Sequence, residues 1–445
     1  MGHQAIISGW GRYPIVAAQE QIVRHLSDIN HSLSIRGPAL ARGLGRSYGD
    51  TSLADRVLDM THMDHFLSFD DKTGLLCCEA GVSLDAILSV FLSRGWFLPV
   101  TPGTRYVTLG GAIACDVHGK NHHVAGSFSD HVHSLTLMLP DGSVKTCSSK
   151  RNIRLFRATC GGNGLTGVIL RASIQLKPVT SAWIRQIAVK AANLTELTEL
   201  FETYRDATYS VAWIDCVSRG NALGRGILLA GEHADAGDLP EGTPPFSRKP
   251  RFTIGVPLSL PSFTLNPWTV KAFNALYYGR IRQQVTESFA TVHSFFYPLD
   301  GIRQWNRIYG RRGFVQYQFV IPEEAGLQPL RSIVKEIASA GTGSFLAVLK
   351  AFGRGNDNDL SFPMAGWTLA LDFPASNAVF RLLDRLDSRV LDAGGRLYLT
   401  KDSRMKPETM RRGYPELDRF LSLKSSIDPA SRLRSMQSTR LGVTP

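Results

Sequence analysis

The chain has 445 residues, of which 43% are apolar and 20% charged, and its formal net charge is +12 at pH 7. This composition is typical of a folded soluble protein rather than a disordered one, and the length allows two domains. The basic residues are scattered, and the densest groups are only the pairs Arg311-Arg312 and Arg411-Arg412. A nucleic-acid-binding protein would cluster its positive charge, so we expect no nucleic-acid partner.

The N-terminal residues 1–16 contain no basic segment followed by an apolar one, so they do not resemble a signal peptide. The six cysteines form no CxxC pair, which favours reduced thiols over a disulfide framework. Both observations predict a cytoplasmic protein. Export together with a partner stays open.

The first glycine-rich segment is ARGLGRSYGD, residues 41–50. Its glycines, Gly43, Gly45 and Gly49, are spaced G-x-G-x-x-x-G, and a predicted strand at 57–60 follows them. A dinucleotide-binding Rossmann loop needs G-x-G-x-x-G before a helix, and a P-loop needs Gly-Lys-Ser/Thr, so both are excluded. A glycine loop between two strands can still direct backbone N–H groups at an anion. A tight turn without a ligand is the alternative.

Residues 75–80 form a short apolar run that predicts a buried strand. Ser83 then predicts the N-cap of a helix that ends near Gly95. The apolar side chains of this helix recur with the spacing of one helical face, at Leu84, Ile87, Leu88 and Phe91.

Two more glycine-rich segments follow, at residues 101–123 and 160–168, with a predicted hairpin between them that turns at Asp141-Gly142. Three such loops in one region suggest a large, flat ligand that carries phosphate. The second segment contains the histidines His118, His122 and His123. Their spacing matches no zinc motif, so we predict no metal site.

The second half predicts strands at 314–322, 344–353 and 367–374, alternating with amphipathic helices that end near Gly341 and Gly394. This rhythm predicts an α+β fold with an antiparallel or mixed sheet. The longest uncharged run, residues 252–270, contains three prolines, which argues against a membrane-spanning helix. We expect an apolar surface loop there, either packed on the protein or serving as a lid or membrane-facing patch.

Five blocks together, GLGRSYGD, PGTRYVTLGGAIACDVHGKNHH, GGNGLTG, QYQFVIP and LTKDSR, resemble flavoprotein oxidases of the vanillyl-alcohol oxidase type. Within that superfamily they are most similar to the oxidases of polyprenyl-phosphoryl ribose. The resemblance implies an α+β protein with a PCMH-type FAD-binding domain of two α/β subdomains over 1–180. An antiparallel-sheet substrate domain would be inserted over 181–394, and a C-terminal return over 395–445 would complete the FAD domain.

The resemblance also implies that FAD binds to the glycine-rich loops and the C-terminal return. The implied FAD-binding residues are Ala41, Arg42, Gly43, Leu44, Gly45, Arg46, Ser47, Tyr48, Gly49, Asp50, Pro102, Gly103, Thr104, Thr108, Gly110, Gly111, Cys115, Val117, His118, Gly119, Val168, Ile169, Tyr398 and Lys401. Many relatives attach FAD covalently to a histidine in the first loop, where this chain has Tyr48. A phenol cannot form that link, so we expect non-covalent FAD.

The implied reaction is FAD-dependent oxidation of the 2′-hydroxyl of polyprenyl-phosphoryl-β-D-ribose to a ketone, the first half of epimerisation to the arabinose form. An NAD(P)H-dependent short-chain reductase would complete it, and peripheral membrane contact would suit the lipid-linked substrate. The alternative is an FAD-dependent aldonolactone or alditol oxidase that acts on a soluble sugar. Lys401 and His118 are the implied catalytic residues, and which of them is the base stays open. The implied substrate-binding residues are Lys120, Trp213, Tyr309, Gln316, Gln318 and Lys350.

One position departs from the family's mycobacterial pattern in a way that has a consequence. Ala370 stands where that pattern has a cysteine, the residue that nitro-aromatic inhibitors trap covalently. A small apolar residue is no base, so the reaction should survive the change. The chain should, however, resist covalent inactivation. Thr368 likewise replaces a usual asparagine, which affects finer substrate contacts.

Overall fold

The computed structural model describes residues 2–246, 254–261, 264, 266–342, 344 and 346–445. Its first sheet has four strands in the spatial order β1-β2-β4-β3, namely β1 (His3–Ser8), β2 (Ile15–Ile22), β3 (Leu40–Arg42) and β4 (Arg56–Asp59). Strand β4 runs parallel to both β2 and β3. The first glycine-rich loop therefore connects two strands, as its sequence predicted.

A second, antiparallel sheet has the order β5-β6-β10-β8-β9. Its strands are β5 (Phe66–Asp70), β6 (Leu75–Glu79), β8 (Val132–Met138), β9 (Val144–Cys147) and β10 (Val168–Gln175), and β7 (Trp96–Phe97) pairs separately with β11 (Lys177–Pro178). The predicted strand at 75–80 and the hairpin around Asp141-Gly142 are both confirmed.

The third sheet has eight antiparallel strands in the order β16-β12-β14-β13-β19-β20-β18-β21. They are β12 (Trp183–Ala191), β13 (Tyr209–Ile214), β14 (Gly226–His233), β16 (Val285–Thr291), β18 (Phe314–Pro322), β19 (Ala347–Phe352), β20 (Gly366–Pro374) and β21 (Arg396–Leu397), while β15 (Ile254–Gly255) pairs with β17 (Ile302–Arg303). The three strands predicted in the second half are β18, β19 and β20.

Thirteen α-helices lie within the described ranges. They are α1 (Leu26–Ser34), α2 (Leu84–Phe91), α3 (Leu109–Ala114), α4 (His122–Ala125), α5 (Ile153–Thr159), α6 (Leu194–Thr203), α7 (Pro267–Gly279), α8 (Val292–Phe296), α9 (Gln328–Ala340), α10 (Asn377–Asp392), α11 (Pro407–Gly413), α12 (Leu417–Ile427) and α13 (Met436–Arg440). The predicted cap of α2 is confirmed, because the Ser83 side chain accepts a hydrogen bond from the backbone N–H of Ala86 at 3.1 Å. Gly341 and Gly394 have φ of +68° and +76°, the left-handed conformation expected after a helix.

The eight-stranded sheet separates a hydrophobic core from a polar face because side chains alternate along each strand. On β18, Tyr317, Phe319 and Ile321 pack in the core with buried residues of α9 and α10. Gln316 and Gln318 point the other way, into a cavity. The same alternation on β13, β19 and β20 sends Trp213, Lys350 and Ala370 to the cavity side. One face of this sheet therefore forms the floor of the cavity.

The C-terminal segment returns to hold the first glycine-rich loop in place. The guanidinium of Arg440 donates to the Asp50 carboxylate at 2.7 and 2.9 Å and to the Asp402 carboxylate at 2.8 Å. The Tyr48 backbone N–H donates to the Thr400 carbonyl oxygen at 3.1 Å. At Gly49, any Cβ would lie 1.8 Å from the Asp402 carbonyl oxygen, so only glycine allows this close approach.

The uncharged run at 252–270 falls partly outside the described residues. Where it is described, the run ends in helix α7, which begins at Pro267 with Asn266 as its N-cap. The prediction of a loop is therefore wrong for the last four residues, because proline is well tolerated in the first turn of a helix. No helix in the described ranges is long and apolar enough to span a bilayer.

Candidate active site

The three glycine-rich segments and the polar face of the eight-stranded sheet enclose one cavity of about 1240 Å³. Cavities that hold a single small ligand usually measure roughly 300–1,000 Å³. The cavity is therefore large enough for a cofactor together with a substrate.

The first two glycine-rich loops present unpaired backbone donors to this cavity. Among the described residues, no acceptor is found for the backbone N–H groups of residues 43–47 or of Gly103 and Thr104, which all line it. Gly43 packs on Thr108, where a Cβ would lie 2.3 Å from Oγ1. Successive backbone N–H groups without a protein acceptor can converge on an anion, so these loops are suited to the pyrophosphate of a dinucleotide.

The two arginines of the first loop have different surroundings. Arg42 donates to the carbonyl oxygens of Ser8 and Ser52 at 2.7 and 2.9 Å, so it holds the loop's shape. Arg46 lies over the Trp10 ring, with its guanidinium carbon 4.3 Å from the ring centre. Burial lowers the pKa of Arg46, and the charge of Asp300 offsets part of that effect. Arg46 is therefore the arginine more available to an anionic ligand.

Tyr48 and Lys401 meet beneath the first loop. The Lys401 Nζ lies 3.9 Å from the centre of the Tyr48 ring. Tyr48 is buried, and its ring also meets Phe314 edge-on at 5.5 Å between centres. Burial lowers the pKa of Lys401 to about 7, with Asp372 opposing the shift and Lys350 adding to it. Lys401 therefore exchanges its proton near neutral pH, as a catalytic acid or base requires.

His118 contacts the sheet through Gln318. The Gln318 Nε2 donates to the His118 Nε2 at 3.1 Å, and the imidazole ring packs among Phe352, Phe362 and Tyr398. Burial, followed by the nearby charge of Lys350, holds the pKa of His118 well below its ordinary value. His118 is therefore neutral, and its Nε2 lone pair is already used. This arrangement favours an orienting role over proton transfer.

Two further lysines line the cavity. Burial lowers the pKa of Lys120 to about 7 and that of Lys350 to about 8, and the Lys350 charge adds to the shift of Lys120. The Lys120 Nζ donates to the Phe295 carbonyl oxygen and lies 4.3 Å from the centre of the Phe295 ring. Neither lysine forms an ion pair with any described carboxylate. The Lys350 side chain faces the cavity.

Most of the residues predicted from the resemblance line this cavity. They are Ala41, Arg42, Gly43, Leu44, Gly45, Arg46, Ser47, Tyr48, Pro102, Gly103, Thr104, Thr108, Gly110, Gly111, Cys115, Val117, His118, Gly119, Ile169, Tyr398, Lys401, Lys120, Trp213, Gln316, Gln318 and Lys350.

Four predicted residues lie behind the cavity wall. Gly49 and Asp50 face the C-terminal return described above. Val168 is fully buried and packs with Leu58 and Met138. Tyr309 stacks on Phe314 with 4.2 Å between ring centres. Each supports the site from outside because strand alternation or tight packing turns it away from the cavity.

Several cavity residues were not predicted from the sequence. Trp10, Asp300 and Thr400 line the cavity, as do Trp305 and Tyr277. Asp372 lies just behind it, fully buried beside Gln316. A carboxylate within the apolar strand WTLALDFP was a signal available in the sequence, because a buried charge on a strand needs a specific partner.

Comparison with known proteins identifies the kind of site. Residues 16–148 match the family described as "FAD binding domain". The chain is 40% identical to the decaprenylphosphoryl-beta-D-ribose oxidase of Mycolicibacterium smegmatis over 98% of its own length and 97% of that protein's. The chain belongs to the decaprenylphosphoryl-β-D-ribose oxidase family. It is an FAD-dependent oxidoreductase that acts on a CH–OH group.

More distant relatives also match over most of the chain. An uncharacterised Streptomyces coelicolor protein is 35% identical over 81% of this chain and 100% of that protein. The L-gulono-1,4-lactone dehydrogenase of Mycobacterium tuberculosis is 23% identical over 94% of this chain and 96% of that enzyme. The match to the decaprenylphosphoryl-β-D-ribose oxidase family is the stronger one, and it agrees with a PCMH-type FAD-binding domain in a mixed α/β protein.

Proposed function

We propose that this chain oxidises the 2′-hydroxyl of a polyprenyl-phosphoryl-β-D-ribose to the 2′-ketone, with FAD as the hydride acceptor. The observation that carries the proposal is the group of three half-buried lysines, Lys120, Lys350 and Lys401, in the cavity that the FAD loops share. Half-buried ammonium groups lose hydration and repel one another, so a bound anion stabilises their protonated forms. The phosphodiester of a lipid-linked sugar supplies such an anion.

The proposed chemistry divides between cofactor and protein. Bound FAD would supply the hydride acceptor, and the backbone N–H groups of residues 43–47 and of Gly103 and Thr104 would hold its pyrophosphate. Lys401 accepts the hydroxyl proton, because burial leaves a large part of it deprotonated near pH 7. Gln318, held by neutral His118, orients the sugar. Lys120 and Lys350 bind the phosphodiester.

Seven strands of the eight-stranded sheet form the substrate domain in this proposal, inserted between the FAD-binding segments over about 181–394 as the resemblance implies, and β21 belongs to the C-terminal return. Epimerisation is completed when a hydride is added back to the ketone carbon of the sugar. We assign that step to a separate NAD(P)H-dependent short-chain reductase, because a hydride donor of this kind reduces ketones directly.

The test is the visible absorbance of the purified flavoprotein under anaerobic conditions. We expect decaprenylphosphoryl ribose to bleach the flavin, and free ribose or L-gulono-1,4-lactone to leave it oxidised. Bleaching by the lactone but not by the lipid-linked sugar would favour the soluble-sugar oxidase. A protein that stays colourless after FAD is added would contradict both.

We also propose that helix α7 and the segment at 254–261 dock on a membrane. Val270 and Asn274 anchor α7 to the protein, and Asn274 donates to Asp215 at 2.8 Å. The opposite side of α7 exposes Trp268 by 80% and Leu276 by 76%. An amphipathic helix with its apolar side outward is typical of an interfacial membrane contact.

Three features favour a bilayer as the partner of this surface. Lys271, Arg280 and Arg282 flank it and are exposed, as binding to anionic lipid requires. Tyr277 of α7 and residues 255–257 line the cavity itself. A substrate could therefore keep its prenyl chain in the membrane while its sugar phosphate enters the cavity.

Vesicle sedimentation tests this contact. We expect the holoprotein to pellet with vesicles that contain phosphatidylglycerol, and the double variant Trp268→Ser/Leu276→Ser to stay largely in solution. Ile6→Ser is the matched control, because Ile6 is 75% exposed on β1. Equal binding by all three proteins would refute the assignment of this surface.

A further inference from the structure

Arg105 lies at the end of a turn in the second glycine-rich segment, and its side chain joins two elements that are far apart in the chain. Its guanidinium forms an ion pair with Asp85 of α2. On its other side, the Arg105 Nη1 donates to the Nδ1 of His293, in helix α8, at 2.8 Å. Only 12% of the Arg105 side chain is exposed, so these contacts are largely shielded from water.

The backbone of Arg105 is fixed between the same two elements. Its N–H donates to the Asp300 carboxylate at 3.0 Å, just beyond α8, and its carbonyl oxygen accepts from the backbone N–H of Asp85 at 3.0 Å. Arg105 therefore makes two contacts with α2 and two with the segment 292–300, which begins with α8. A lysine would not replace the side-chain contacts, because its ammonium group lacks the planar fork of a guanidinium.

The opposite end of this turn is anchored on the same segment. The Thr101 Oγ1 and the Tyr297 hydroxyl form a hydrogen bond of 2.8 Å, and both residues are buried. Gly103 and Thr104 lie between Thr101 and Arg105, and no acceptor is found among the described residues for their backbone N–H groups. The two amides that line the cavity are thus placed between two anchored residues.

We infer that Arg105 is a positioning residue for FAD, which aims the backbone N–H groups of Gly103 and Thr104 at the pyrophosphate by tying their turn to α2 and α8. Donors that are fixed before a ligand arrives lose little freedom when it binds, so they bind it more tightly. This role rests on the proposed placement of the pyrophosphate at these amides, and it does not depend on which sugar is oxidised.

His293 is the partner that gives this role a specific test. Arginine only donates hydrogen bonds, so the His293 Nδ1 is the acceptor and the neutral ring carries its proton on Nε2. Replacing His293 by leucine removes the acceptor. Replacing it by asparagine keeps a carbonyl oxygen close to the position of Nδ1.

The test is the release of FAD from the purified holoprotein on dilution, measured as the rise in fluorescence of free FAD. Arg105→Met should raise the dissociation constant of FAD about tenfold, as expected for the loss of a charge-assisted hydrogen bond. Arg105→Lys should weaken binding nearly as much. Arg157→Met is the matched control, because Arg157 also pairs with a distant residue, Asp357 at 2.6 Å, but does not line the cavity. It should release FAD as the wild type does.

A double-mutant cycle separates this positioning from general damage to the structure. His293→Leu should raise the dissociation constant of FAD about fivefold in the wild-type background and no further in Arg105→Met, because the two residues act through one hydrogen bond. His293→Asn should bind FAD within about twofold of the wild type, since an acceptor is kept. Independent structural damage would multiply the two effects and would not be rescued by asparagine.

An unchanged dissociation constant in Arg105→Met or in His293→Leu would overturn the inference, as would effects that multiply in the double variant. If Arg105→Met does not fold, the comparison of His293→Leu with His293→Asn decides, and equal FAD affinity in these two would overturn it. Flavin reduction by substrate is measured separately at saturating FAD. Failure of the proposed oxidation is therefore distinguishable from failure of this inference.

Discussion

The Nζ of Lys401 lies 3.9 Å from the centre of the Tyr48 ring. A cation over an aromatic face gains about 0.5–2 kcal/mol, more where water is excluded. Tyr48, at the position where the family resemblance implies that many relatives attach their flavin, thus contacts Lys401, the proposed base.

Replacing Lys401 tests its role most directly. Lys401→Met should retain FAD, because the pyrophosphate loops are untouched, but slow anaerobic flavin reduction by about 10²–10⁴-fold through loss of the proton acceptor. Stopped-flow absorbance measures this rate. Exposed Lys335 offers the control, and Lys335→Met should reduce its flavin at the wild-type rate. A Lys401→Met enzyme of normal rate would remove Lys401 from the mechanism.

The FAD should be non-covalent because Tyr48 cannot form a histidyl link. Denaturing the holoprotein with acid and centrifuging it should leave the yellow colour in the supernatant, where the absorbance of free FAD is measured. Flavin that stays with the precipitated protein would show a covalent attachment at another residue.

The lysines that bind phosphate should determine substrate affinity more than chemistry. Lys120→Met and Lys350→Met should each raise the KM for the lipid-linked sugar about tenfold, since each removes a charge-assisted contact of about 1.5 kcal/mol. The maximal rate should change less. Steady-state kinetics separate these effects, and an unchanged KM in both variants would place the phosphate elsewhere.

The lysines also predict a bell-shaped pH dependence of kcat/KM. Lys401 must lose its proton, so the rate should fall as the pH drops below about 7. Lys120 and Lys350 must keep theirs to bind an anion, so kcat/KM should also fall as the pH rises past about 7 to 8. A rate that rises steadily up to pH 9 would contradict this assignment.

Ala370 predicts resistance to inhibitors that trap a cysteine. It lines the cavity on β20, opposite Gln318. Intact-mass spectrometry after turnover with a nitrobenzothiazinone should find no adduct on the wild type and one adduct on Ala370→Cys. The other cavity thiol is Cys115, and burial raises its pKa, which lowers its reactivity. An adduct on the wild type would contradict the prediction.

Arg440 should stabilise the chain more than an ordinary surface arginine. Arg440→Met leaves Asp50 buried without a cation and removes the ion pair of Asp402. It should lower the free energy of unfolding by about 2–3 kcal/mol, allowing for the partial exposure of Arg440. Arg412 pairs with Asp392 at the surface, so Arg412→Met should cost no more than about 1 kcal/mol. Urea denaturation measures both, and equal losses would refute the difference.

The sequence predicted those parts of the fold that depend on local patterns. The strand at 314–322 and the cap at Ser83 were predicted correctly because alternation and side-chain capping act over a few residues. Predicting which residues face the cavity required the family resemblance. Glycine spacing alone did not exclude a tight turn without a ligand.

What could not be predicted depends on contacts between distant segments. Arg42, an implied FAD-binding residue, lines the cavity, but its guanidinium donates to the carbonyl oxygens of Ser8 in β1 and Ser52 in the loop. Val168 lies behind the wall because it packs with Leu58 and Met138 of earlier strands. Tyr309 lies there because it stacks on Phe314 of β18. The hydrogen bond between Asp372 and Gln316 needs two paired strands, which no local window contains.

The ion pair between Arg440 and Asp50 also has a consequence for the stage of protein synthesis at which FAD can bind. The two residues are 390 positions apart in the chain. During synthesis, the first glycine-rich loop is made early. The Arg440 side chain that holds this loop is made only after nearly all the other described elements. We therefore expect FAD to stay bound only once Arg440 has been synthesised. Nascent chains and C-terminally cleaved protein should lack the yellow absorbance of the flavin.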